Sequence, residues 1–307
     1  MPTPRLQAWP LVAAMALGVA TVSAQQFRSR VDLVQLPVVV SAKDGEPVQG
    51  LTADDFEVLE DGTPQQIAAF AAGASGDVLP LRLGLLLDTS ESMERDLRTA
   101  ASNAVRFVTE LDEATDVTFV DFATAVNLGR FQPPSYPQLF ERIRSGHAGG
   151  GTSLYDALGI YVQRSFDRRG QHVVLLHTDG GDSTSSMTFG RLQTLLRLGN
   201  VIVYVVGYMQ NQVTSDRMPQ RMRIAQIAHE TGGEAFFPTS REDIDRAYDR
   251  IIGEIAARYT IGYQPSNRPF DGTYREVKVR LRRTDLADAQ VRTRSGYLAA
   301  SAVSGGR

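Results

Sequence analysis

The chain has no cysteine, which excludes disulfide bracing, thiolate metal sites, cysteine nucleophiles and lipid attachment through a thioether. It has one tryptophan, and aromatic residues make up 8% of its 307 positions. An aliphatic core must therefore supply most of the stability. Neither sign of charge dominates: 32 Lys and Arg against 35 Asp and Glu leave a formal net charge of −3. That balance offers no basic surplus for nucleic acid phosphates or an acidic membrane surface. The four histidines, His147, His172, His177 and His229, lack metal-ligand spacing. No Gly-x-Ser-x-Gly elbow is present for serine hydrolysis.

Only one stretch resembles a long apolar run. Arg5 precedes an apolar segment from Trp9 to Val22, followed by Ser23 and Ala24. A basic start, a short apolar centre and small residues before a cut describe a secretory signal peptide over residues 1–24. The expectation is an exported protein, periplasmic or extracellular, with no membrane insertion after cleavage. Export without disulfides is compatible with a bacterial envelope protein.

Beyond the leader the chemistry alternates in blocks. Residues 25–79 read as β structure: a strand over Val31–Val40, a turn at Lys43-Asp44-Gly45, the alternating strand Phe56–Glu60, the turn Asp61-Gly62, and a returning strand Ile67–Phe70. From Leu81 the pattern switches to strands alternating with helices. Strands are expected near 82–87, 116–122, 126–131, 172–178, 200–207 and 234–237, and helices near 94–111, 153–167, 187–198, 217–230 and 240–257. This is the signature of a Rossmann-like, doubly wound, mostly parallel sheet. The link between 116–122 and 126–131 is too short for a crossover helix, so 126–131 should be an antiparallel edge. After Tyr259 the pattern returns to β, with strands at Tyr259–Tyr263, Glu276–Leu281 and Val291–Leu298, separated by a loop containing Pro265, Asn267, Pro269, Asp271 and Gly272. The expected fold class is α/β over 80–257. The 25–79 segment should pack with 258–299 as a small β-sandwich-like domain, followed by a disordered tail, 300–307.

Three oxygen side chains leave the first α/β strand together. Asp88, Ser90 and Ser92 follow the apolar run Leu83–Leu87, at the strand end where open α/β sheets bind ligands. Gly149-Gly150-Gly151 then delivers Thr152 and Ser153 at the start of a helical stretch. A phosphate cradle would need a Gly-Lys-Ser/Thr ending, which is missing. A second apolar strand, Val173–Leu176, ends in His177-Thr178-Asp179-Gly180-Gly181. Hard oxygens converging from a curved loop suit a hard divalent cation.

In this arrangement the chain resembles a von Willebrand factor type A domain carrying a metal-ion-dependent adhesion site. Asp88, Ser90 and Ser92 match the family's Asp-x-Ser-x-Ser element, Thr152 its separate threonine, and Asp179 its final aspartate. Flanking matches, Gly50-Leu51-Thr52, Asp55-Phe56, Glu60-Asp61-Gly62, Gly262-Tyr263 and Arg294-Ser295-Gly296-Tyr297, are similar to a secreted bacterial subgroup. Glu91 departs from a frequent Gly, and His177 from a frequent small or hydroxyl residue. The resemblance implies a metal set of Asp88, Ser90, Ser92, Thr152 and Asp179, supported by Gly151, Ser153, His177 and Gly180. It implies Mg²⁺, with Ca²⁺ or Mn²⁺ as other fits, and a noncatalytic role. Only two ligands carry charge, which leaves the cation Lewis acidic toward a Glu or Asp carboxylate from a partner protein. Two other readings compete. One is a structural module of an envelope assembly without metal-dependent binding. The other is an aspartate-based hydrolase, since Leu86–Ser90 resembles an aspartic protease loop, although the second Asp-Thr-Gly or Asp-Ser-Gly loop is missing.

Overall fold

The computed structural model describes residues 33–73, 80–210, 214–266 and 271–299, with the side chains of 214–216 excepted. The expected leader, residues 1–24, the tail, 300–307, and loop residues Asn267 and Pro269 lie outside the described residues.

The N-terminal strands are β1 (Val34–Ser41), β2 (Phe56–Glu60), β3 (Thr63–Gln65) and β4 (Ile67–Ala72). The α/β part follows with β5 (Leu81–Asp88), α1 (Leu97–Glu110), β6 (Asp116–Phe122), β7 (Val126–Phe131), α2 (Tyr136–Arg144) and α3 (Leu154–Ser165). It continues through β8 (Gln171–Thr178), α4 (Phe189–Leu198), β9 (Val201–Gly207), α5 (Thr214–Thr231), β10 (Ala235–Phe236) and α6 (Arg241–Ala257). The chain returns to β structure in β11 (Tyr259–Tyr263), β12 (Tyr274–Leu281), β13 (Gln290–Arg292) and β14 (Gly296–Leu298).

The central sheet has the order β10-β9-β8-β5-β6-β7. Every neighbouring pair is parallel except β6 with β7, whose register runs from Val117 opposite Phe131 to Phe122 opposite Val126. The expected antiparallel edge is therefore present. Both faces of β5 are buried, which explains its unbroken apolar run. Leu83, Leu85 and Leu87 pack in one core with Phe107 of α1, Leu139 of α2 and Tyr248 of α6. Leu86 lies in the other core, with Leu158 of α3, Leu192 of α4 and Ile224 of α5. Gly84 permits the close approach of α3, because a Cβ there would lie 2.5 Å from the Tyr161 ring.

Chain direction reverses around β5. The chain passes from β5 outward to β6 and β7, then returns to place β8 on the other side of β5. The crevice between the carboxyl ends of β5 and β8 is thus a topological switch point, where binding sites of such sheets form.

The terminal strands pair across the length of the chain. One antiparallel sheet has the order β13-β1-β11-β4 and the other β14-β12-β2-β3. Leu36, Val38, Phe56, Val58, Tyr259, Ile261, Val277 and Val279 share one core between them. The pairing expected of the N- and C-terminal segments is seen directly.

Three details differ from the sequence reading. Helix α2 was not among the expected helices; its Pro137 sits in the first turn, where a proline costs no hydrogen bond. The single strand expected over Val291–Leu298 is two strands in different sheets, β13 on β1 and β14 on β12. The chain crosses between them at Thr293–Ser295, where the buried Arg294 guanidinium donates to the Arg197 and Gly296 carbonyls. A further short strand, β3, follows the Asp61-Gly62 turn and pairs with β2.

Candidate functional site

Asp88 is the last residue of β5 and is fully buried. Its Oδ1 accepts the Ser90 N–H at 2.9 Å, and its Oδ2 accepts the Thr178 hydroxyl at 2.6 Å. Ser90 is buried while Ser92 is exposed, and their hydroxyl oxygens lie 3.2 Å apart. The loop thus carries its oxygens from the interior to the surface. Backbone bonds hold it: Thr89 N–H donates to the Phe122 carbonyl at the end of β6, and Gly149 N–H donates to the Thr89 carbonyl.

The triple-glycine segment lies alongside. Glu91 N–H donates to the Gly150 carbonyl at 3.1 Å, and Gly150 has φ +78°, a conformation that requires glycine at little cost. Gly151 N–H donates to the Thr124 hydroxyl. Thr152 is buried, and its backbone is gripped from both sides. Its N–H donates to Ser183 Oγ at 2.9 Å, and its carbonyl accepts the N–H groups of Ser183 and Thr184. Ser153 hydroxyl donates to the Thr124 carbonyl and also meets the Thr184 hydroxyl at 2.8 Å.

Asp179 follows β8 and is buried. Its Oδ1 accepts the Gly181 N–H at 3.2 Å. A Cβ added at Gly181 would lie 3.6 Å from Asp179 Oδ1 and 3.9 Å from Thr152 Oγ1. Asp179 Oδ1 and Thr152 Oγ1, two of the five expected ligands, therefore lie within 4 Å of one point beside Gly181, with Gln220 Nε2 3.8 Å from the same point. Asp88 and Asp179 also sit close enough for the Asp179 charge to act on Asp88. Burial pushes the Asp88 carboxyl up to about 6, the Ser90 and Thr178 donors oppose that rise, and Asp179 adds to it. A cation in this crevice would reverse the balance by stabilising both carboxylates.

The donor set fits a hard divalent cation: two carboxylates and three hydroxyls, all oxygen. Among the described residues no cluster of three or more His, Asp or Glu is placed to hold a metal ion, so a cation here depends on the hydroxyls as well.

The supporting residues divide. Gly151 and Ser153 anchor the Thr152 loop, and Gly180, at φ +90°, gives its N–H to the Thr178 hydroxyl. His177 faces the opposite side of β8. Its ring stacks between Tyr208 and Tyr248, a ring nitrogen lies 3.1 Å from the Tyr248 hydroxyl, and burial pushes it down to about 3, so it is neutral. The hydroxyl that reaches Asp88 belongs to its neighbour, Thr178. Sequence reading missed Thr178, Ser183 and Gly181. Strand alternation held a signal for the first, since Thr178 shares a face with Leu176 and not with His177.

A family model for the von Willebrand factor type A domain matches residues 83–250. No curated protein matches the chain. Among solved structures, the chain is similar to the D319A mutant of the PilB minor pilin from Streptococcus sanguinis, at 13% identity and a TM-score of 0.48 over 60% of this chain; it spans 63% of that chain. A von Willebrand factor type A protein from Catenulispora acidiphila is 13% identical, with a TM-score of 0.47 over 89% of this chain and 75% of that one. The conserved hypothetical protein BatB from Bacteroides thetaiotaomicron is 18% identical, with a TM-score of 0.43 over 56% of this chain and 97% of that one. By its family match, which covers more than half its length, the chain belongs to the von Willebrand factor type A domain family.

Proposed function

We propose that the protein is an exported, noncatalytic binding protein that captures a carboxylate of a partner protein through a divalent cation. Asp88, Ser90, Ser92, Thr152 and Asp179 would hold the cation, with Mg²⁺ the first candidate and Ca²⁺ or Mn²⁺ also compatible. The carrying observation is the approach of Asp179 Oδ1 and Thr152 Oγ1, from two separate loops, to within 4 Å of one point beside Gly181. When bound, the cation supplies Lewis acidity toward a further anionic oxygen.

The chain's own residues do the rest. Thr178 and the Ser90 N–H orient the Asp88 carboxylate, while Ser183 and Thr184 fix the Thr152 loop. Ser92, exposed at the rim, brings the donor set to the surface, where an incoming carboxylate can reach it. Export is supported by the leader-like sequence of residues 1–24; no helix among the described residues is long and apolar enough to cross a membrane.

The test is a pull-down from envelope and secreted fractions with the wild type and Asp88→Ala, in Mg²⁺ and in EDTA. A partner retained by the wild type only in Mg²⁺ supports the reading. A partner retained equally by all four combinations contradicts it.

A further inference from the structure

The rim of the crevice is electrically uneven. On the β5 side the loop after Asp88 carries exposed Glu91 and Glu94. Beyond β8, helix α5 presents the other sign. It reaches the site directly: the Gln220 side chain lies 3.8 Å from where a Gly181 Cβ would be, and Ile224 lies 2.5 Å from where one at Gly180 would be.

One turn along α5 from Gln220 stands Arg223, exposed, its guanidinium 3.4 Å from the Tyr155 hydroxyl. Tyr155 belongs to the first turn of α3, three residues after Thr152, and its N–H is held by Asp182 in the loop that follows Asp179. Arg223 therefore meets the side chain of a residue whose backbone joins the loops that supply Thr152 and Asp179. Among the described residues it forms no ion pair, and its hydrogen bond to Tyr155 is long and to a neutral group. The two other arginines of α5 differ, and Arg217 donates to the Gln210 carbonyl. Arg221 is committed to the Phe237 ring, 4.2 Å from its centroid.

A guanidinium without a carboxylate is the complement of a planar anion, which it can bind with two parallel hydrogen bonds.

We infer that Arg223 is a second anchor for the partner, which presents an acidic segment with one carboxylate for the cation site and a second for Arg223. The inference rests on the proposed metal-dependent capture and deepens it. The positive rim on the α5 side and the acidic rim at Glu91 and Glu94 set the direction in which the segment lies.

The test uses the full chain in Mn²⁺ and blocked heptapeptides carrying either one Glu or two Glu separated by one to four residues. For the best spacing, the second Glu is expected to tighten binding about tenfold, the scale of one charge-assisted hydrogen-bonded pair. In Arg223→Gln that ratio should fall to about one, and Arg223→Lys should restore part of it; thermal melts establish that both variants fold. If the one-Glu peptide binds in Mn²⁺ but a second Glu adds nothing at any spacing, or the ratio survives in Arg223→Gln, the inference is overturned. If no peptide binds in a metal-dependent way, the capture reading fails, and this inference with it.

Discussion

Thr178 Oγ1 donates to Asp88 Oδ2 at 2.6 Å while accepting the Gly180 N–H at 3.0 Å, so one hydroxyl joins the carboxyl ends of β5 and β8. Thr178→Val keeps the shape and removes both bonds. Its expected effect is a loss of about tenfold in Mn²⁺ affinity, the usual size for a group that orients a metal ligand. Thr178→Ser should retain most of the affinity. Calorimetric titration reads both, and unchanged affinity in the valine variant would show that Asp88 needs no such orientation.

Gly181→Ala tests the space between Asp179 and Thr152. The new methyl would lie 3.6 Å from Asp179 Oδ1 and 3.9 Å from Thr152 Oγ1, ordinary contact distances, so the fold should tolerate it. A metal-free melting temperature close to wild type, with Mn²⁺ binding weakened by about tenfold or more, is the expected pair of results. Full affinity in this variant would place the cation elsewhere.

Asp243 gives a pH-dependent signature remote from the site. Hydrogen bonds from the Thr239 hydroxyl and N–H, in the cap of α6, hold its carboxyl down to about 2 from an ordinary 3.8. A lowered folded-state value means stability that is present above pH 3.8 and lost as the pH falls through about 2. Melts of the wild type and Asp243→Asn should differ by a constant amount from pH 7 to 5, with the wild type higher. The gap should narrow below pH 4; a gap independent of pH would contradict the capping role of the charge.

The β-sandwich has its own test. Glu60 is buried, and its Oε2 accepts hydroxyls from Tyr263 at 2.6 Å and Tyr297 at 2.8 Å, residues more than 200 positions away. Tyr263→Phe and Tyr297→Phe should each cost about 1–3 kcal/mol, the scale for withdrawing a donor from a buried polar group. Because both act on one oxygen, the double variant should deviate from the sum of the singles. Urea unfolding measures all three.

Much of this was legible where the physics is local. The apolar run before Asp88 announced a strand buried on both faces, and the three-residue link after Phe122 announced an antiparallel edge. The five candidate ligands were legible as residues at loop starts and strand ends, since hydroxyl and carboxylate types in those places are chemically distinctive. What escaped depended on contacts across the chain. The bond from Thr178 to Asp88 spans 90 residues and leaves no local trace. Arg294 ends one strand and begins another through carbonyls that only the tertiary fold brings near. Helix α2 escaped although its signal was local, since Pro137 occupies the first turn, a place that suits proline.

The central claim is that Asp88 and Asp179 hold a divalent cation between them. Mn²⁺ titration of the full chain by calorimetry, for the wild type and Asp179→Ala, tests it most directly. The account predicts one Mn²⁺ per wild-type chain, competed by Mg²⁺, and binding abolished in a variant that still melts cooperatively. Absence of saturable Mn²⁺ and Mg²⁺ binding by the folded wild type, or equal binding by Asp179→Ala, would contradict it.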